Sequence, residues 1–118
     1  MNVEVLREYC LAKKHVTEGF PFDEETLVFK VMGKIFAIIP LERQPLQINL
    51  KCEPETAILL RERHDGIILP GYHMNKRHWN TVLVERLAPK NVEELVDVSY
   101  GLVVQKLPKK LKETYSDT

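Results

Sequence analysis

Hydrophobic and polar positions alternate along this chain with two different periods. Val5, Leu6, Tyr9 and Cys10 recur at three- and four-residue intervals, opposite Glu4, Arg7 and Glu8. That spacing predicts a helix of about three turns, with Asn2 as its N-cap. TEGFPFDEE, Thr17 to Glu25, gathers glycine, proline and acidic residues and predicts a loop. TLVFKVM and IFAIIP are β-rich runs around Gly33-Lys34, where glycine at the first central position suits a type II′ hairpin turn. LQINLK then alternates strictly, with Leu46, Ile48 and Leu50 on one face and Gln47, Asn49 and Lys51 on the other. This is the pattern of a strand with one wet face, which favours an antiparallel sheet.

Pro54 suits the first turn of a second helix reaching about Arg63, with Glu53 and Glu55 near its positive end and His64-Asp65-Gly66 as its stop. Ile67 to Leu69 reads as a short strand, Pro70-Gly71 as a turn, and Trp79 to Glu85 as a strand. Asn91 is the expected cap of a long helix with Val92, Leu95, Val96, Ser99, Leu102, Val103 and Lys106 at three- and four-residue spacing. Pro108 ends or kinks that helix, and residues 110–118 are expected to add a turn and then fray. The order is therefore α-β-β-β-α-β-β-α. No βαβ unit repeats, so the fold class expected is α+β, an antiparallel sheet with helices packed on one face.

Length and composition narrow the function classes. A chain of 118 residues is one domain, 1–118, large enough to bury a core without staples. It is 44% hydrophobic and 29% charged, which excludes wholesale disorder. Seventeen basic and seventeen acidic side chains cancel, so a nucleic acid or an anionic surface must find a local patch. Cys10 and Cys52 have no metal-type spacing and read as reduced thiols, Cys10 on a buried helix face. The charged start, MNVEVLREYC, does not resemble a signal peptide, and no apolar run is long enough to cross a bilayer. A cytoplasmic protein is expected.

Chemistry concentrates in PGYHMNKRHWNTV, Pro70 to Val82. Together with FPFDEETLVFKVMGKIFA, LKCEPE and SYGLVVQKLPKK, this passage resembles the MmcQ/YjbR family of small bacterial proteins over roughly Glu18 to Lys110. The resemblance implies a frataxin-like (CyaY-like) α+β fold and a "double wing" DNA-binding character. Asp23 departs from the glycine that many relatives place after the Pro-Phe pair. Frataxins are associated with an acidic first helix; here Glu4 and Glu8 are diluted by Arg7, Lys13 and Lys14.

Three readings of the passage compete. In the first, Lys76 and Arg77 contact phosphates. Asn75, His73 and His78 then donate hydrogen bonds, and Tyr72 and Trp79 offer stacking surfaces. Lys34 at a hairpin tip, with Lys30 and Lys51 on the wet sheet face, extends the patch. Against this, Trp79 at a strand start reads more readily as core, and Lys76-Arg77 as a solvated turn. In the second, the chain is a metal site or an enzyme. Two histidines in one loop do not make a ligand set, Ser99 and Thr81 have no nucleophile motif, and the glycines are scattered. Neither cofactor nor catalysis is expected. In the third, the same face takes a protein or a small ligand. DNA is the expected partner, held weakly through its phosphates; a protein or small ligand is the alternative, and a membrane is not expected.

Overall fold

The computed structural model describes residues 1–72 and 74–117. Helix α1, Val3–Leu11, starts where Asn2 Oδ1 accepts the Val5 N–H at 2.8 Å. It is followed by strands β1 (Val16–Gly19), β2 (Thr26–Val31), β3 (Lys34–Pro40) and β4 (Gln47–Lys51). Helix α2, Pro54–Arg63, follows, with its proline in the first turn, and strands β5 (Ile68–Pro70) and β6 (Trp79–Leu83) form the second hairpin. A 3₁₀ turn, Val84–Arg86, leads to α3 (Pro89–Gln105) and α4 (Lys109–Asp117). All strand pairs are antiparallel, in the order β1-β2-β3-β4-β6-β5.

The α+β class and the element order match expectation, with differences that have local causes. The β2–β3 turn is Met32-Gly33, closed by the Val31–Lys34 pair, and both residues have positive φ (50° and 81°). That is a type I′ turn one residue earlier than the glycine alone suggests. Thr17 to Gly19 is not loop but part of edge strand β1, held by pairing with β2. Helix α3 starts at Pro89 rather than at an Asn91 cap, since a proline suits the first helical position. The segment expected to fray is helical through Asp117. Tyr115 anchors it, with its hydroxyl 3.0 Å from that of Tyr100 and its ring beneath Lys14 Nζ at 4.6 Å.

One face of the sheet carries the core. Leu27, Phe29, Val31, Phe36 and Ile39 of the first hairpin pack with Ile48, Leu50 and Val82, under Leu6 and Cys10 of α1 and Val92, Val96 and Val103 of α3. Tyr9 Oη and Lys13 Nζ both donate to Asp97 Oδ1, at 2.7 and 2.5 Å, and lock α1 to α3. Arg7 donates to Glu18 through both arms of its fork, tying α1 to β1. Asp23 accepts the Glu25 and Thr26 N–H groups at 2.8 and 2.7 Å and closes the loop before β2. Those bonds hold its carboxyl below the ordinary range. Among the described residues no helix is long and apolar enough to cross a membrane.

Both cysteines are free and buried. Burial pushes the Cys10 thiol up to about 12 and the Cys52 thiol up as well. The folded chain should therefore resist thiol reagents near pH 8, while the denatured chain labels at both positions. A raised folded value means the native state keeps a proton that the unfolded chain releases. The Cys10 contribution to stability is then intact below its ordinary value of 9.0 and is lost as pH climbs toward 12. Labelling of Cys10 in the native protein at the denatured rate contradicts this.

Candidate functional site

Strand register identifies what the helix-free face presents. Gly19, Val28, Ile38, Asn49, Thr81 and Leu69 form one continuous row across all six strands. The face is not evenly wet. Val28 and Ile38 are buried, and Asn49 is only 5% exposed. Val28 lies under the Phe20-Pro21 segment, while Ile38 and Asn49 floor a cleft of about 510 Å³, roofed by loops, with Phe22, Arg43, Tyr72 and Trp79 among its walls. Phe22 and Tyr72 remain 64% and 48% exposed at its mouth. The Arg43 guanidinium lies 3.9 Å from the centre of the Tyr72 ring, a close cation–π contact.

A relay of hydrogen bonds fixes the floor. The Tyr72 N–H donates to Thr81 Oγ1 at 3.1 Å, and the Thr81 hydroxyl donates to Asn49 Oδ1 at 2.5 Å. This sets the Asn49 amide with its oxygen spoken for and Nδ2 left for an occupant of the cleft. Glu42 of the cleft rim neighbours Glu25, and a side-chain hydrogen bond with it, followed by the like charge, raises the Glu25 carboxyl.

The Gly71–Trp79 loop is built largely by its own backbone. The Gly71 N–H donates to Trp79 O at 2.9 Å, and the Met74 N–H to Gly71 O at 3.2 Å. Asn75 makes a tight turn, its Oδ1 accepting from Arg77 N at 3.0 Å and its carbonyl from His78 and Trp79 N at 3.1 and 3.0 Å. His78 O accepts the Cys52 N–H at 2.8 Å, which pins the loop to the end of β4. Asn75 and His78 thus hold the turn through these bonds. His73 lies outside the described residues.

The cations anticipated from sequence divide into two groups. Lys30 and Lys51 are half-buried on the open face at one end of the sheet, on strands two apart. Lys34 is exposed at the adjoining hairpin end. Lys76 and Arg77 turn the other way. They are exposed in a depression against α2, shared with Glu55, Glu62 and Asp65, where Arg61 Nη2 donates to Lys76 O at 3.2 Å. Tyr72 and Trp79 of the same loop line the cleft instead. Phe22, Arg43, Asn49 and Thr81 were not anticipated as site residues. The available signal was an asparagine in mid-strand between Ile48 and Leu50, which alternation alone assigns to a wet face. Among the described residues, no three histidine, cysteine or carboxylate side chains gather as a metal site.

Comparison with known proteins places this architecture. The YjbR family model matches residues 11–102. The chain belongs to the YjbR family. The uncharacterised YjbR protein of Escherichia coli K12 is 34% identical over 115 residues, 96% of each chain. Another uncharacterised member, YbdF of E. coli O157:H7, is 36% identical over 108 residues, 91% of this chain and 88% of its own. Among solved structures, a Deinococcus radiodurans crystal structure described as a DUF419 domain aligns with a TM-score of 0.89 at 39% identity. It covers 98% of this chain and 88% of that one. A Pseudomonas syringae crystal structure aligns with a TM-score of 0.73 at 30% identity, over 86% and 98% of the two chains. This YjbR domain therefore shares its α+β fold across distant bacteria.

Proposed function

We propose that this YjbR-family domain is a non-enzymatic binding module whose site is the open sheet face. Its ligand is an unstacked base of DNA, carried by a strand whose phosphates run toward Lys30, Lys34 and Lys51. The observation that supports this most is the cleft itself. Aromatic walls at Tyr72 and Trp79, an amide at Asn49 and a guanidinium at Arg43 suit a flat ring with hydrogen-bonding edges. Its volume of about 510 Å³ lies in the range of small-ligand sites. Lys76 and Arg77 extend the positive surface around the β5–β6 edge and contribute less, because Glu55, Glu62 and Asp65 share their depression.

A second reading, a free small ligand with no nucleic acid, is favoured by the zero net charge and by the distance of the Lys76-Arg77 turn from the cleft. Anisotropy titrations of labelled single-stranded oligonucleotides at low salt separate the two. If three phosphates are contacted, log affinity should fall against log salt with a slope of about −2, from roughly −0.7 per phosphate on single strands. Tyr72→Ala should weaken binding about tenfold, the loss of one stacked base. The double variant Lys76→Ala, Arg77→Ala should weaken it less and leave the melting temperature unchanged, since both side chains are exposed. Nucleoside binding with no oligonucleotide binding selects the second reading. No binding of either removes both.

A further inference from the structure

On the opposite side of the sheet, the helix layer has a gap. Helix α2 rests on β5 and β6, while α3 rests on β3 and β4. Between the two helices lies a cavity of about 490 Å³, floored by Leu50 and Val82 and walled by Leu60, Leu95 and Cys52. Arg63, His64 and Glu94 stand among its lining residues, as does Val98, half exposed on α3. Its surface is chiefly apolar, and of its lining only Lys51 also enters the open-face reading.

One polar side chain in that lining is incomplete. Asn80, 2% exposed, alternates with Trp79 and Thr81 and so faces away from the open cleft. Its Nδ2 donates to Ala57 O of α2 at 3.4 Å, which fixes the orientation of the amide. The opposite atom, Oδ1, is buried and has no hydrogen-bond partner among the described residues. A buried carbonyl oxygen without a donor is costly, and folded proteins normally supply one. Leucine at this position fits an apolar floor without that cost. Asn80 thus carries a buried, unpaired acceptor in the lining of a chiefly apolar cavity whose rim also holds Arg63, His64 and Glu94, apolar walls for affinity and a few polar groups for selection as in a ligand site.

We propose that the cavity between α2 and α3 binds a small, largely apolar molecule bearing a single N–H or O–H group, which donates to Asn80 Oδ1. The acceptor sets the class. Pure hydrocarbons leave it unpaired, and strongly polar molecules forgo the apolar walls. Compact aromatic rings with one donor, of the indole, phenol or primary benzamide kind, meet both demands.

Matched probe pairs test this on the unmodified protein. The isotopically labelled chain is titrated with indole against 1-methylindole, phenol against anisole, and benzamide against N,N-dimethylbenzamide, and followed by two-dimensional NMR. The donor member of at least one pair should shift the Asn80 side-chain amide and the methyls of Val82 and Leu95. Its methylated counterpart should bind about tenfold more weakly or worse. Asn80→Leu should erase that preference while keeping the apolar component. Should that variant not fold, Val98→Trp, placed on the half-exposed mouth, should abolish binding with the core intact. Equal binding within every pair overturns the proposal. So does the absence of shifts at Asn80 up to the solubility of all three donors, or a water that stays on the Asn80 amide at saturating probe.

Discussion

Replacing Ser99 by alanine should destabilise this protein by about 2–4 kcal/mol, far more than one surface hydroxyl commands. The ladder between β3 and β4 is short, with Ala37–Leu50 and Ile38–Asn49 its paired positions. Past Ala37 the strands part, and a hydroxyl from α3 fills the opening. Ser99 is fully buried. It donates to Phe36 O at 2.6 Å and accepts from Lys51 N at 2.8 Å. One side chain therefore completes the hydrogen bonding of two strands and fastens the helix to both. Alanine orphans a carbonyl and an N–H in a dry interior, each worth about 1–3 kcal/mol. With an unfolding entropy of roughly 2.1 cal/mol/K per residue, a loss of that size lowers the melting temperature by about 10 °C. Hydrogen exchange at the Lys51 amide should accelerate in step. A loss under about 1 kcal/mol, with Lys51 still protected, shows that water or a strand shift replaces the hydroxyl.

Ser99 also illustrates what the sequence discloses. Its place on the inner face of a helix is legible from Val92, Val96 and Val103 around it. Its partners are not, because they lie 48 and 63 residues away. Features fixed locally were readable: Asn2 capping α1, Pro54 opening α2, the alternation of β4. Features fixed by pairing were not. The VTEG of β1 has no hydrophobic alternation and is a strand only because β2 lies beside it. The β2–β3 turn settles on Met32-Gly33 because Val31 and Lys34 pair, a choice that register makes and a glycine alone does not.

The same division runs through the candidate site. Tyr72 was visible as a surface aromatic inside an unusual passage, whereas Trp79 reads more readily as core and is instead a half-buried wall of the cleft. Phe22, Arg43 and Asn49 come from three other segments and meet Thr81 of that passage through strand order. Lys30 and Lys51 share a face because both fall on the outward register of their strands. Lys76 and Arg77 leave it because the Asn75 turn directs the chain back toward α2. Charge count carries no information about that direction.

Gly71→Ala should strike the fold and the cleft together. Gly71 is buried, and a Cβ there meets Trp79 Cβ at 2.9 Å, Met74 Cβ at 3.0 Å and Trp79 O at 3.0 Å. These are backbone and Cβ atoms, so no flexible side-chain end can swing aside. The hydrogen bond from Gly71 N to Trp79 O that closes the loop has to stretch or break. An overpacking cost of about 1–3 kcal/mol follows. The displaced atoms belong to the wall of the cleft, and Trp79 is the chain's single tryptophan. Its emission should therefore shift, and ligand binding at the open face should weaken beyond what lost stability explains. Gly33→Ala provides the contrast. Gly33 has φ of +81° with open space where a Cβ would go, so alanine there costs about 1–2 kcal/mol of backbone strain and touches nothing. Its tryptophan emission should match the wild type. If Gly71→Ala melts within about 0.5 kcal/mol of the parent with unchanged emission, the loop has slack. The cleft is then not the rigid, preformed site that base binding requires.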